Sequence, residues 1–173
     1  MSVHQLYSAR AHWKPHVPFI FPVPDNKVKE EEFMQHVRTV LKNWQPFSIR
    51  IGGFEKSWDH WLLLLLKEGN EKVIALHDEL YTEILVPYMR KDIKFVPHIG
   101  IGLFARKDSG YSVLDPKIVA YDTELYAGAL KEAEALGIDT FDTIDKLVVN
   151  KVILEGTSLY LDRTVLGSKE IKL

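Results

Sequence analysis

Apolar residues recur along the chain with two periods. Phe33, Val37, Val40, Leu41 and Trp44 stand three and four apart within Lys27 to Trp44, a spacing that predicts an amphipathic helix with Lys27 to Glu32 as its solvated first turns. Val73, Ile74, His77, Leu80, Tyr81, Ile84 and Leu85 form the stripe of a second helix, after the turn Glu68-Gly69-Asn70 and with Asn70 as its cap. A third helix carries Ile118, Tyr121, Leu125, Ala129, Ala133 and Leu136. Asp115 suits its cap, Pro116 its first position and Gly137 its stop.

Shorter runs fit the strand period of two. Pro15 to Val23 reads as a strand interrupted by proline, followed by a turn through Pro22, Pro24, Asp25 and Asn26. Phe47 to Ile51 alternates and is broken by Gly52-Gly53. Trp61 to Lys67 and Pro97 to Phe104 are two further strands. Ile144 to Leu154 and Leu159 to Leu166 read as an antiparallel pair around Glu155-Gly156-Thr157-Ser158. This mixture of strands and helices is that of an α/β or α+β domain. No linker or shift of composition divides it, so residues 1–173 read as one domain, of a length that allows two similar halves.

One pattern repeats at about half the chain length. Pro15-His16-Val17-Pro18-Phe19 and Pro97-His98-Ile99-Gly100-Ile101 both read proline, histidine, aliphatic, small, large apolar. Strand alternation sets His98, Gly100 and Gly102 on one face, with Ile99, Ile101 and Leu103 as the core face. Glycine inside a strand often marks a close approach of ligand to backbone. The first copy places His16, Pro18 and Ile20 together, and its proline implies an edge or a bulge. Two imidazoles on one cleft suit phosphodiester chemistry. With an ordinary pKa near 6.5, one takes a proton from water or a ribose hydroxyl while the other donates to the leaving oxygen. A histidine on a strand is more often a packed or capping residue, and it is the matched frames that weigh against that simpler account.

At these residues the chain resembles the two-histidine (2H) phosphoesterase superfamily, which includes RNA 2′,3′-cyclic phosphodiesterases and 2′-5′ RNA ligases. The family motif is histidine, any residue, threonine or serine, then a hydrophobic residue, occurring twice; PHVPFIFP and PHIGIGLF stand at those places. The similarity covers roughly residues 12 to 168 and ends in KLVVNKVIL and SLYLDRTVLG, which look like the family's final strand pair. It implies an α+β, two-lobed, pseudo-symmetric fold with antiparallel sheets lining a central cleft and helices outside. It also implies a metal-independent phosphodiesterase acting on a cyclic or 2′-5′ phosphodiester of RNA or a nucleotide, with His16 and His98 as acid and base and with no cofactor. The expected partner is a small phosphorylated nucleotide or an RNA terminus, with no obligate protein partner. Pro18 and Gly100 replace the hydroxyl residues that bind phosphate in the family. Pro18 has neither hydroxyl nor N–H, and Gly100 keeps a backbone N–H alone. Losing one donor to an oxyanion costs on the order of 10²–10³ in rate, so the alternative is a non-catalytic module that binds phosphate, nucleotide or RNA end in the same cleft. Family members usually begin with a strand and a helix ahead of the first motif. Here His16 comes too early for both, and either a trimmed first lobe or a misjudged gene start is expected.

Composition narrows the classes. A net charge of -2 gives no bulk attraction to polyanions, so a nucleic-acid contact must be local. The absence of cysteine removes disulfides, thiolate metal sites and a cysteine nucleophile, and fits a cytoplasmic location. Met1 to Arg10 lacks the apolar core of a signal peptide. The longest wholly apolar run, Trp61 to Leu66, falls far short of the roughly 20 residues that span a bilayer and reads as a strand buried on both faces.

Arg106 shares strand parity with His98 and is a candidate contact for an extended substrate, although eight extended residues cover about 26 Å. His12, four residues before His16, reads as a surface residue, with the cleft mouth as the alternative. His36, His60 and His77 sit among apolar or aromatic neighbours, with His77 on a buried helix stripe, and Trp44, Trp58 and Trp61 read as core. Gly52-Gly53-Phe54 lacks the Lys-Ser/Thr of a phosphate loop, and there is no Gly-x-Ser-x-Gly elbow.

Overall fold

The computed structural model describes residues 15–57, 61–104, 122–155 and 162–173. Helix α1 spans Glu30–Leu41 and buries Met34, His36, Val37 and Leu41. Its three opening glutamates face the positive end of the helix dipole, and the Glu32 carboxylate accepts from the Lys29 N–H at 3.4 Å. Strand β1 (Phe47–Lys56) follows, then β2 (Trp61–Glu68). Helix α2 (Asn70–Leu80) buries Val73, Leu76, His77 and Leu80, and a 3-10 helix covers Glu83–Tyr88. Strand β3 (His98–Leu103), helix α3 (Thr123–Ala135), β4 (Asp139–Ile144), β5 (Lys146–Glu155) and β6 (Asp162–Lys172) complete the order.

The first four strands form one antiparallel sheet in the order β3-β2-β1-β4, and β5 and β6 form a separate antiparallel ribbon. The fold is α+β, as the resemblance implied. One hydrophobic cluster joins these parts. It takes Leu62, Leu64 and Leu66 from β2, Ile99 and Ile101 from β3, Val37 from α1, Leu76 from α2, Ala129 from α3 and Leu147 from the ribbon. No helix among the described residues is long and apolar enough to cross a membrane.

Several elements depart from the sequence expectation. Pro15 to Val23 is irregular chain and not a strand. Proline at 15, 18 and 22 removes every third or fourth backbone donor, and a strand ladder cannot close over such gaps. Gly52 and Gly53 do not end β1. The strand runs through them with register shifts between Arg50 and Ile51 and between Ile51 and Phe54, so the glycines mark a bulge. Gly69, at φ 81, caps α2, and Asn70 is its first helical residue. The helix Thr123–Ala135 is capped by Asp122, whose side chain accepts from the Leu125 N–H at 3.0 Å. The expected cap Asp115, with Pro116, Ile118 and Tyr121, lies outside the described residues, as do residues 156–161. Gly137, at φ 57, ends α3 as expected.

Candidate functional site

The segment carrying His16 lies on the body of the protein without joining a sheet. Val17, Phe19 and Ile20 are half-buried against the main cluster, and Ile20 and Val23 also reach a second cluster built on Val28, Tyr81 and Leu85. The Phe21 N–H donates to the Tyr81 hydroxyl at 2.8 Å, and the Lys27 and Val28 N–H groups close a turn on the Pro24 carbonyl. His16 itself is exposed.

His16 and Pro18 line a hollow of about 830 Å³ between this segment, α1, the sheet and the β5–β6 ribbon. Its floor is apolar and includes Met34, Ile51 and Ile99. Its wall is polar and charged, with Asp142 from β4, Lys151 from β5 and Ser168 from β6. Glu30 on α1 accepts from Lys169 and lies 3.6 Å from Lys151, which ties the ribbon to the helix across one side of the hollow. The hydrogen bond from Lys169 is the main cause that holds the Glu30 carboxyl below its ordinary range.

The structure does not bring His98 to this hollow: of the second histidine frame, carried on β3, only Ile99 is in its lining. His98 projects from the other face of the strand, opposite Leu65. The His98 Nδ1–H donates to the Val96 carbonyl at 2.6 Å. A carbonyl only accepts, so Nδ1 carries the proton and Nε2 holds the lone pair in the neutral ring.

Gly100 shares the His98 face, where the Trp61 ring covers it. A Cβ built on Gly100 would meet the ring edge at 3.3 Å. Gly102 does not share that face. The pairing shifts register between Leu62 and Leu63, so Gly100 stands opposite Leu63 while Gly102 stands opposite the fully buried Leu62. Plain alternation joined Gly102 to His98, and the extra residue at Ile101 turns it toward the core.

Arg106 and His12 lie outside the described residues, with Trp58 and His60. His36 and His77 are buried. The Nε2–H of His36 donates to the Leu80 carbonyl at 2.9 Å, and His77 is stacked on Phe95 at 3.8 Å between ring centroids. Trp44 and Trp61 are half-buried. Sequence reasoning missed Tyr81 as an anchor of the His16 segment, since helical spacing marked its ring as core and carries no sign of a hydroxyl reaching a backbone N–H 60 residues earlier. It also missed the Glu30 pairs and the Trp61 ring over Gly100, both of which depend on register that a single sequence does not display.

A family model described as the 2′-5′ RNA ligase superfamily matches residues 4–122, a span that holds both histidine frames. None of the curated proteins matches the chain.

Proposed function

The chain belongs to the 2′-5′ RNA ligase superfamily, and from that premise we propose that it is a phosphodiesterase acting on a cyclic or 2′-5′ phosphodiester of RNA or a nucleotide, without a metal. Water adds to phosphorus as one imidazole takes its proton, and the other, protonated, gives a proton to the departing ribose oxygen as the P–O bond breaks. His16 and His98 hold these roles. The observation that carries the reading is the family match across both frames, and the Nδ1–H bond of His98 to the Val96 carbonyl supports it by fixing the ring. The partner in this reading is a small phosphorylated nucleotide or an RNA end, and its setting is the cytoplasm.

Kinetics on 2′,3′-cyclic nucleotides test it. General acid–base catalysis contributes about 10²–10⁴-fold, so His16→Ala and His98→Ala should each lower kcat by at least about 10². Activity should survive a chelator unchanged. Full activity in either variant removes the proposal.

One observation favours a second reading, in which the cleft binds a phosphorylated end without turning it over. Pro18 carries no hydroxyl or N–H, and the Trp61 ring closes the space where a side chain at Gly100 would begin. Measurable affinity with no turnover across a cyclic-phosphate panel selects this reading.

A further inference from the structure

The two histidine-bearing segments touch one short stretch of helix. His77 lies in the last turn of α2 and Tyr81 is its C-cap residue, and both are buried. Their rings are 4.9 Å apart and tilted by 56°. The Nδ1–H of His77 donates to the Asp78 carboxylate at 2.8 Å, which fixes the rotation of the ring. On its flat side the His77 ring stacks on Phe95, with 7° between the planes.

Phe95 immediately precedes Val96, whose carbonyl orients His98. Tyr81 accepts from the Phe21 N–H, in the segment that presents His16. That segment has proline at 15, 18 and 22 and no ladder of its own, so a side-chain acceptor at Phe21 fixes backbone that sheet pairing does not. The two frames are far apart in sequence, yet each is held by a neighbouring residue at the end of the same helix.

We infer that the end of α2 is a clamp that positions both histidine segments. His77 holds Phe95, and through it the Val96 carbonyl that aims His98, while Tyr81 holds the segment of His16. His77 and Tyr81 are positioning residues and take no part in proton transfer. The inference rests on the two-histidine reading for its functional meaning, and its geometry is testable apart from it.

The test uses the full chain labelled with ¹⁵N. Ring-nitrogen spectra report the His98 tautomer, and amide exchange reports the Phe21 hydrogen bond. His77→Ala and Phe95→Leu should each lose the Nδ1–H signature of His98, while His77→Phe, which keeps a ring against Phe95, should retain it. Tyr81→Phe should speed exchange of the Phe21 amide by about tenfold, the scale of one net hydrogen bond, and leave the His98 signature in place. In the same variants kcat on a 2′,3′-cyclic nucleotide should fall with the loss of each signature, and KM should change less. An unchanged His98 signature in either folded Phe95→Leu or His77→Ala, or an unchanged Phe21 exchange rate in Tyr81→Phe, overturns the clamp. Responsive spectra in a chain that has no turnover uphold the clamp and remove the phosphodiesterase reading alone.

Discussion

Gly100 stands where a side chain would collide with an aromatic ring. At 3.3 Å from Trp61 the added Cβ of Gly100→Ser is tighter than ordinary contact, and the ring must give way. Overpacking of this kind typically costs about 1–3 kcal/mol, and Gly100→Ser should lower the denaturant midpoint accordingly. Pairing it with Trp61→Leu should recover most of that loss. If the hydroxyl then serves as a phosphate donor, the double variant should bind a cyclic nucleotide more tightly than Trp61→Leu alone, as titration calorimetry can read. At this scale the sequence displayed both histidines and the missing hydroxyls, since these are residue identities in a repeated frame. It did not display Tyr81 as an acceptor or Trp61 as a cover. Those roles come from contacts across 60 and 39 residues, and no local spacing encodes them.

Among the elements, glycine separates two kinds of helix end. Gly69 has φ 81, and a Cβ there would lie 2.7 Å from the Ser48 carbonyl oxygen, a backbone atom that cannot rotate away. Gly137 has φ 57 and open space around it. Gly137→Ala should therefore cost about 1–2 kcal/mol for the left-handed backbone alone, and Gly69→Ala more than that, as paired urea titrations would show. A second prediction concerns the seam of the sheet. Arg50 on β1 donates to both carboxylate oxygens of Asp139 on β4, at 2.8 and 2.9 Å, and to Glu68 on β2 at 2.9 Å. Its hydrogen bonds pull the Asp139 carboxyl from 3.8 to about 2. A depressed carboxyl stabilises the fold above its unfolded pKa, and the contribution fades as pH falls through the folded one. The stability difference between the native chain and Asp139→Asn should thus shrink between about pH 4 and about pH 2, which acid titration followed by circular dichroism can check. The apolar stripes of α1 and α2 and the apolar run of β2 were legible because burial on one or both faces imposes their period. β4 was not legible. Five of its six residues, Asp139 to Thr143, are exposed and Ile144 alone is buried, so its pairing with β1 leaves no hydrophobic signature.

At the scale of the whole molecule, the ribbon is joined to the main body by a small apolar contact and a few charges. Leu147, Ile171 and Leu173 reach the main cluster, and Glu30 on α1 meets Lys151 and Lys169. A two-stranded hairpin is marginal on its own in water, so its order depends on this seating. Glu30→Gln should raise amide exchange along β5 and β6 while α2 and β2 stay protected, and the effect should weaken as salt is added, because exposed ion pairs are screened. The two-lobed expectation was legible as two histidine frames, and the irregular first frame departs from it because its prolines supply too few donors for a strand. The ribbon has one further consequence. Among the described residues both of its strands are outer strands, the kind of edge to which another chain can add. Lys146 pairs with Glu170, and Lys151 and Lys169 pair with Glu30, so much of the charge along these margins is matched within the chain. Charged side chains along an outer strand are a common guard against edge-to-edge pairing, so the sequence that closes the hollow also discourages the protein from self-association through this border.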